Sequence, residues 1–133
     1  MSKAAELANL IGNINAGGGG VNRNIIINGA MNVAQRSTSE TGLGASTGYF
    51  TVDRFVMATD SSNATAGRFT MSQDSSAPSG FSNSLKLACT TADTSIASGE
   101  SLILRQVIEG QNLQAFAKGT SDAKPFAVSF YVK

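Results

Sequence analysis

After residue 23 the chain is punctuated too often to form long helices. Apolar runs of strand length alternate with clusters of Gly, Asn, Ser, Thr and Pro, and that cadence confines the fold to short strands joined by turns. Asn24-Ile25-Ile26-Ile27-Asn28-Gly29 is a β-branched run closed by an Asn-Gly turn signal, and residues 31–35 alternate loosely. Residues 37–48 read as a loop of Ser, Thr and Gly with Leu43 as its one large apolar side chain. Strands are expected over 49–58, 68–73, 85–90 and 102–108, with a turn-rich loop over 74–83 that holds Pro78 and Gly80. Residues 112–118 fit one or two helical turns. In 126–132 the alternation is clean: Phe126, Val128, Phe130 and Val132 point one way and Tyr131 the other. The expected class is mainly β, an antiparallel sandwich or jelly roll.

The first residues obey another period. Leu7, Leu10, Ile11 and Ile14 fall on one face of a short amphipathic helix over 2–14, with Ser2 as its N-cap. A helix this short is marginal alone in water, so the apolar stripe must pack, either on its own domain or on copies of itself or a larger assembly. Gly17 to Gly20 follow without interruption, and four glycines do not hold a rigid conformation. A phosphate-cradling loop is the other reading of such glycines, but no strand precedes them and no Lys-Ser/Thr pair follows. The expected organisation is a helix over 1–16 serving anchorage or oligomerisation, a flexible joint over 17–23, and a β module over 24–133.

Composition narrows the function. The net charge is +1 and no basic run occurs, so neither nucleic acid nor an anionic membrane surface has an electrostatic foothold. No apolar stretch approaches a membrane span, so no membrane insertion is expected, and Glu6 with its neighbouring Asn residues interrupts any leader sequence. Cys89 is the only cysteine, which rules out an internal disulfide; within Leu85-Lys86-Leu87-Ala88-Cys89 it reads as buried apolar filler. With neither a membrane span nor a leader sequence read from the chain, synthesis in a reducing cytoplasm is expected.

The chain has no His, so it lacks the commonest general base, and Ser-His-Asp and Cys-His arrangements are impossible. Asp53 and Glu109 are the best carboxylates for glycoside hydrolysis. The competing structural reading is the stronger, because Asp53 adjoins Arg54, and Glu109 lies in a polar run with Gln106 and Asn112; such groups fix strand and corner geometry. Asp60, Asp74, Asp93 and Glu100 form no dense calcium-binding loop, so neither metal nor other cofactor is expected. For ligand contact the exposed-aromatic candidates are Tyr49, Phe50, Phe81 and Tyr131, of which Tyr49, Phe81 and Tyr131 are preferred, with core packing as the competing role.

Four stretches resemble successive motifs of one family. Asn24-Ile25-Ile26-Ile27-Asn28-Gly29-Ala30-Met31-Asn32-Val33-Ala34-Gln35-Arg36 looks like the opening motif of a bacteriophage structural module found in tail-fibre and appendage proteins, notably of phages of marine bacteria. Tyr49-Phe50-Thr51-Val52-Asp53-Arg54-Phe55 resembles its second motif, Gln106-Val107-Ile108-Glu109-Gly110-Gln111-Asn112 its third, and the stretch from Ala123 through Phe126, Phe130 and Tyr131 to Lys133 its fourth. The resemblance implies a jelly roll like that of carbohydrate-binding modules, a place on the virion, and a homotrimeric or otherwise repeated assembly. It implies other virion proteins as partners of the N-terminal helix, and a host-surface glycan as ligand of the β module. The family's module continues beyond the fourth motif, so the chain is expected to carry its front part, with the fold completed by a neighbouring copy, another protein or further residues.

Overall fold

The computed structural model describes residues 3–4, 24–59 and 66–133. The expected helix stripe (Leu7, Leu10, Ile11, Ile14) and glycine joint lie outside the described residues; Lys3 and Ala4 are helical. The described residues fall into two compact units, Ile26–Val107 and, by itself, Ile108–Lys133 together with the described residues before Ile26.

The larger unit is mainly β, with five strands in two antiparallel sheets. Strands β1 (Ser39–Leu43), β3 (Arg68–Asp74) and β4 (Ser84–Thr91) form one sheet in the order β1-β3-β4. Strands β2 (Phe55–Thr59) and β5 (Leu102–Gln106) form the other, in register from Phe55↔Gln106 to Thr59↔Leu102. Met57 of β2, Met71 of β3 and Leu43 of β1 make the buried core, with Phe50, Phe55, Leu85 and Leu102 packed against it, so both sheets share one apolar centre. Met57 and Met71 are 0% exposed. Unbranched thioether side chains suit such a junction, because they adapt to the irregular gap between two sheets. In β2 the four residues from Val56 to Thr59 are all buried, so both of its faces are covered.

Local chemistry explains the joints. β1 gives way to a bend at Gly44, where φ is +130° and a Cβ would fall 2.5 Å from the carbonyl oxygen of Gly67; only glycine permits the approach. Thr47 extends the edge of β2: its Oγ1 donates to the Thr59 carbonyl and accepts from the Thr59 N–H, both at 3.0 Å. The β3–β4 ladder carries a bulge between Arg68 and Phe69: Phe69 pairs with Cys89, Arg68 with Thr91, and the intervening Thr90 turns its hydroxyl to the Arg68 carbonyl.

Several expectations change. Residues 24–29 join no ladder; the Asn-Gly signal does make a turn, with Asn28 at φ 59° and the Met31 N–H donating to its carbonyl at 2.9 Å. Residues 31–35 are likewise outside the sheets, and the expected strand over 49–58 is confined to Phe55–Thr59 because a turn at Asp53 and Arg54 precedes it. The loop expected over 37–48 contains β1. Cys89 is exposed rather than buried: it lies near the end of β4, whereas Leu85 of the same strand packs against the core.

In the smaller unit a 3-10 helix, Gly110–Phe116, occupies the expected place and ends at Ala117 in the left-handed region. Residues 124–133 join no ladder, so the expected strand over 126–132 is not formed. Its beginning is tied to the helix: the Lys124 N–H donates to the Phe116 carbonyl at 2.9 Å, and the rings of Phe116 and Phe126 meet edge to face at 5.6 Å. Phe130 and Tyr131, expected on opposite faces, are 79% and 76% exposed.

Candidate functional site

Residues 27–36 cross the larger unit as a strap, held by side-chain amides instead of strand pairing. A carboxamide offers the donor and acceptor that a peptide offers, so one side chain can stand in for a neighbouring strand. Gln106, at the end of β5, does this for Ile27: its Nε2 donates to the Ile27 carbonyl at 2.6 Å, and the Ile27 N–H donates to its Oε1 at 3.0 Å. Asn28 does it for Val33, with Nδ2 donating to the Val33 carbonyl at 2.9 Å and Oδ1 accepting from the Val33 N–H at 3.0 Å. The same Nδ2 reaches the Asp53 carbonyl at 2.9 Å, while the Asp53 N–H donates to Val33. Gln73 of β3 donates to the Met31 carbonyl at 2.6 Å. Because Gln73 and Gln106 belong to different sheets, the strap laces the two together.

A charged margin borders this corner. The Asp53 carboxylate lies 3.4 Å from Arg36 Nη1 and accepts from the Gln35 N–H at 3.4 Å. Arg36 in turn stands over the Tyr49 ring, 5.4 Å from its centre. Asp53 is thus paired with an arginine of the strap, and Arg54 marks the turn into β2 with φ 76°. An exposed pair of this kind contributes at most about 1 kcal/mol, so its value lies in orienting Arg36 and Tyr49.

Tyr49, 43% exposed, is the predicted ligand residue that this corner positions. Phe81 follows the turn at Pro78, its N–H donating to the Pro78 carbonyl at 3.0 Å. Tyr131 lies in the smaller unit. Of the predicted polar network, Asp53 and Gln106 grip the strap. Glu109 and Asn112 open the 3-10 helix: the Asn112 N–H donates to the Glu109 carbonyl at 2.9 Å, and Gln111 Nε2 donates to the Glu109 carboxylate at 2.7 Å. The gripping roles of Asn28 and Gln73 escape a reading by residue type, since an amide in a strand or turn looks like any side chain that faces water. The turn signal Asn28-Gly29 is the only sequence cue to the first.

Among the described residues no three His, Cys, Asp or Glu side chains gather as metal ligands. No described helix is long and apolar enough to cross a membrane. A second feature lies at the other end of the strands. An open cleft of about 340 Å³ runs between Phe69 and Cys89 on the first sheet and Leu102 on the second, closed by the loop that carries Asp93 and Glu100. Compared with protein-family models, curated proteins and solved structures, the chain matches none. Fold and site define a class: a small mainly-β protein of two antiparallel sheets about one core, laced by an amide-held strap.

Proposed function

We propose that the chain is a structural, non-enzymatic component of a phage virion, a fibre or appendage protein that attaches through its N-terminus. Its sheets form the front part of a jelly-roll module displayed for host-surface glycan recognition. The observation that carries this reading is the meeting of motifs distant in sequence. Asn28, Val33 and Arg36 of the first motif, Asp53 of the second and Gln106 of the third contact one another or share the strap. Stretches that resemble one family's signatures are thereby given a common physical purpose, holding the strap to both sheets. The absence of His argues against catalysis from the sequence side. On this reading the working form is a homotrimer on the virion, bound to other virion proteins through its first residues. Repetition around a fibre would raise weak per-site glycan binding by avidity.

The second reading is an adaptor, connector or capsid-decoration protein with no receptor binding of its own. The exposed apolar side chains Val128, Phe130 and Val132 favour it, since such residues suit assembly contacts. Adsorption competition separates the two. Folded chain added in excess to host cells is expected to reduce adsorption of the phage that carries it; unchanged adsorption selects the adaptor.

A further inference from the structure

The Asn28-Gly29 turn joins a reactive sequence to a lock. In such a pair the backbone nitrogen of the glycine can attack the asparagine carboxamide, because glycine has no Cβ to shield that nitrogen. Gly29 is exposed, so its peptide meets solvent. The Asn28 carboxamide is held on both sides. Its Nδ2 donates to the carbonyls of Val33 and Asp53, each at 2.9 Å, and its Oδ1 accepts from the Val33 N–H at 3.0 Å. Attack would turn the planar Cγ tetrahedral. A carboxamide seated flat against both the N–H and the C=O of Val33 cannot become tetrahedral and keep those bonds in line. The side chain at risk is therefore the one that fastens the strap, and the closed strap protects it. The strap joins no ladder, and segments of that kind open locally at less cost than the sheets they cross.

We propose that Asn28 is a deamidation site gated by the strap: opening of the strap frees the carboxamide, and the reaction then prevents its closing. In the open strap the Gly29 N–H gives its proton to hydroxide, and the nitrogen attacks Asn28 Cγ. A bond forms between Gly29 N and Cγ, the Cγ–Nδ2 bond breaks, and ammonia leaves behind a succinimide. Water then opens the ring. Addition at Cγ gives aspartate, addition at the backbone carbonyl of residue 28 gives isoaspartate, and nothing is oxidised or reduced. Either product is a carboxylate at neutral pH. As an acceptor only, it cannot donate to the Val33 and Asp53 carbonyls. Isoaspartate also adds a methylene to the main chain, so the turn at φ 59° is not rebuilt. The modified strap no longer holds Arg36 over Tyr49. The step is chemical and local, and it stands independently of the virion reading.

Trypsin supplies the assay, since cleavage after Arg23 and Arg36 yields one peptide that carries Asn24, Asn28 and Asn32. Ile25 and Val33 follow the other two asparagines, and their β-branched side chains shield the attacking nitrogen, so both serve as internal controls. The full chain is aged in mildly alkaline buffer, folded or unfolded in guanidinium chloride, and the peptide is followed by mass spectrometry. In the denaturant Asn28 is expected to deamidate well ahead of Asn24 and Asn32, giving both products, and Gly29→Ala to slow it several-fold. The folded chain should react about a hundredfold more slowly, the combined worth of three ordinary hydrogen bonds. Gln106→Ala removes the two bonds to Ile27; it should raise the folded-state rate about tenfold and leave the rate in denaturant unchanged. Circular dichroism checks that this variant folds, and Gln73→Ala, which frees the Met31 carbonyl, replaces it if it does not. The idea fails if Asn28 reacts no faster than Asn32 in denaturant, if folding gives no protection, or if loosening the strap leaves the folded-state rate unchanged.

Discussion

β3 and residues 126–132 carry nearly the same sequence signal and have opposite fates. Both alternate over seven residues, Phe69 and Met71 in one, Phe126, Val128, Phe130 and Val132 in the other. β3 is the middle strand of its sheet, hydrogen-bonded to β1 and β4, and Met71 is fully buried. Residues 126–132 join no ladder, and Val128, Phe130 and Val132 are exposed. Alternation states how a segment would present its side chains; neighbours on its flanks decide whether it becomes a strand. β1 makes the converse point. Ser39-Glu40-Thr41-Gly42-Leu43 has almost no apolar pattern, yet it pairs with β3, because Leu43 reaches the core and the edge of β3 offers partners.

The contrast is sharpest where the core is cut. Met57 touches both halves of the apolar centre, and Met57→Ala should lower unfolding free energy by about 2–5 kcal/mol, the usual cost of a large-to-small change at a site that collapses poorly. Urea unfolding followed by circular dichroism measures it. A loss below about 1 kcal/mol would mean that the two sheets do not share this centre in solution. The strap comes next. Asn28→Ala removes three hydrogen bonds and places Ala at a φ of 59°, which together predict a loss of about 3 kcal/mol. Asn28→Asp keeps an acceptor for the Val33 N–H and a residue type that tolerates this φ, but loses both donated bonds, so it isolates the amide. An Asp variant as stable as the parent would show that the strap holds by its backbone turn alone.

Much of the fold was legible in the sequence. The runs at 68–73, 85–90 and 102–108 became β3, β4 and β5 almost as bounded, because each combines apolar residues with turn signals on both sides. The Asn28-Gly29 turn was legible for the same reason. The run 24–29 misled, since Gln106 and Asn28 supply by side chain what a neighbouring strand would supply by backbone. No propensity scale registers that substitution. Of the candidate site, Asp53 and Gln106 could be picked out by their motif-like setting, and Tyr49 by its place beside a strand. The cleft could not, because it needs Phe69, Cys89 and Glu100 brought together by a ladder, a bulge and a loop. The exposure of Cys89 was not legible, because membership of β4 does not say how far along the strand the core reaches.

The smallest expected effect tests the other side of the comparison. Phe130 stands mostly in solvent, so Phe130→Ser should change the unfolding free energy by no more than about 0.5 kcal/mol, although the same change at a paired strand position costs several times more. The measurement needs two protein concentrations. Should copies associate through residues 126–132, the parent would gain stability with concentration, by mass action, and the variant would lose that gain. A flat response in both chains leaves the segment a strand pattern without a strand. A concentration-dependent loss in the variant alone would show that its missing neighbour is another copy, and the alternation would then have described the assembled state from the start.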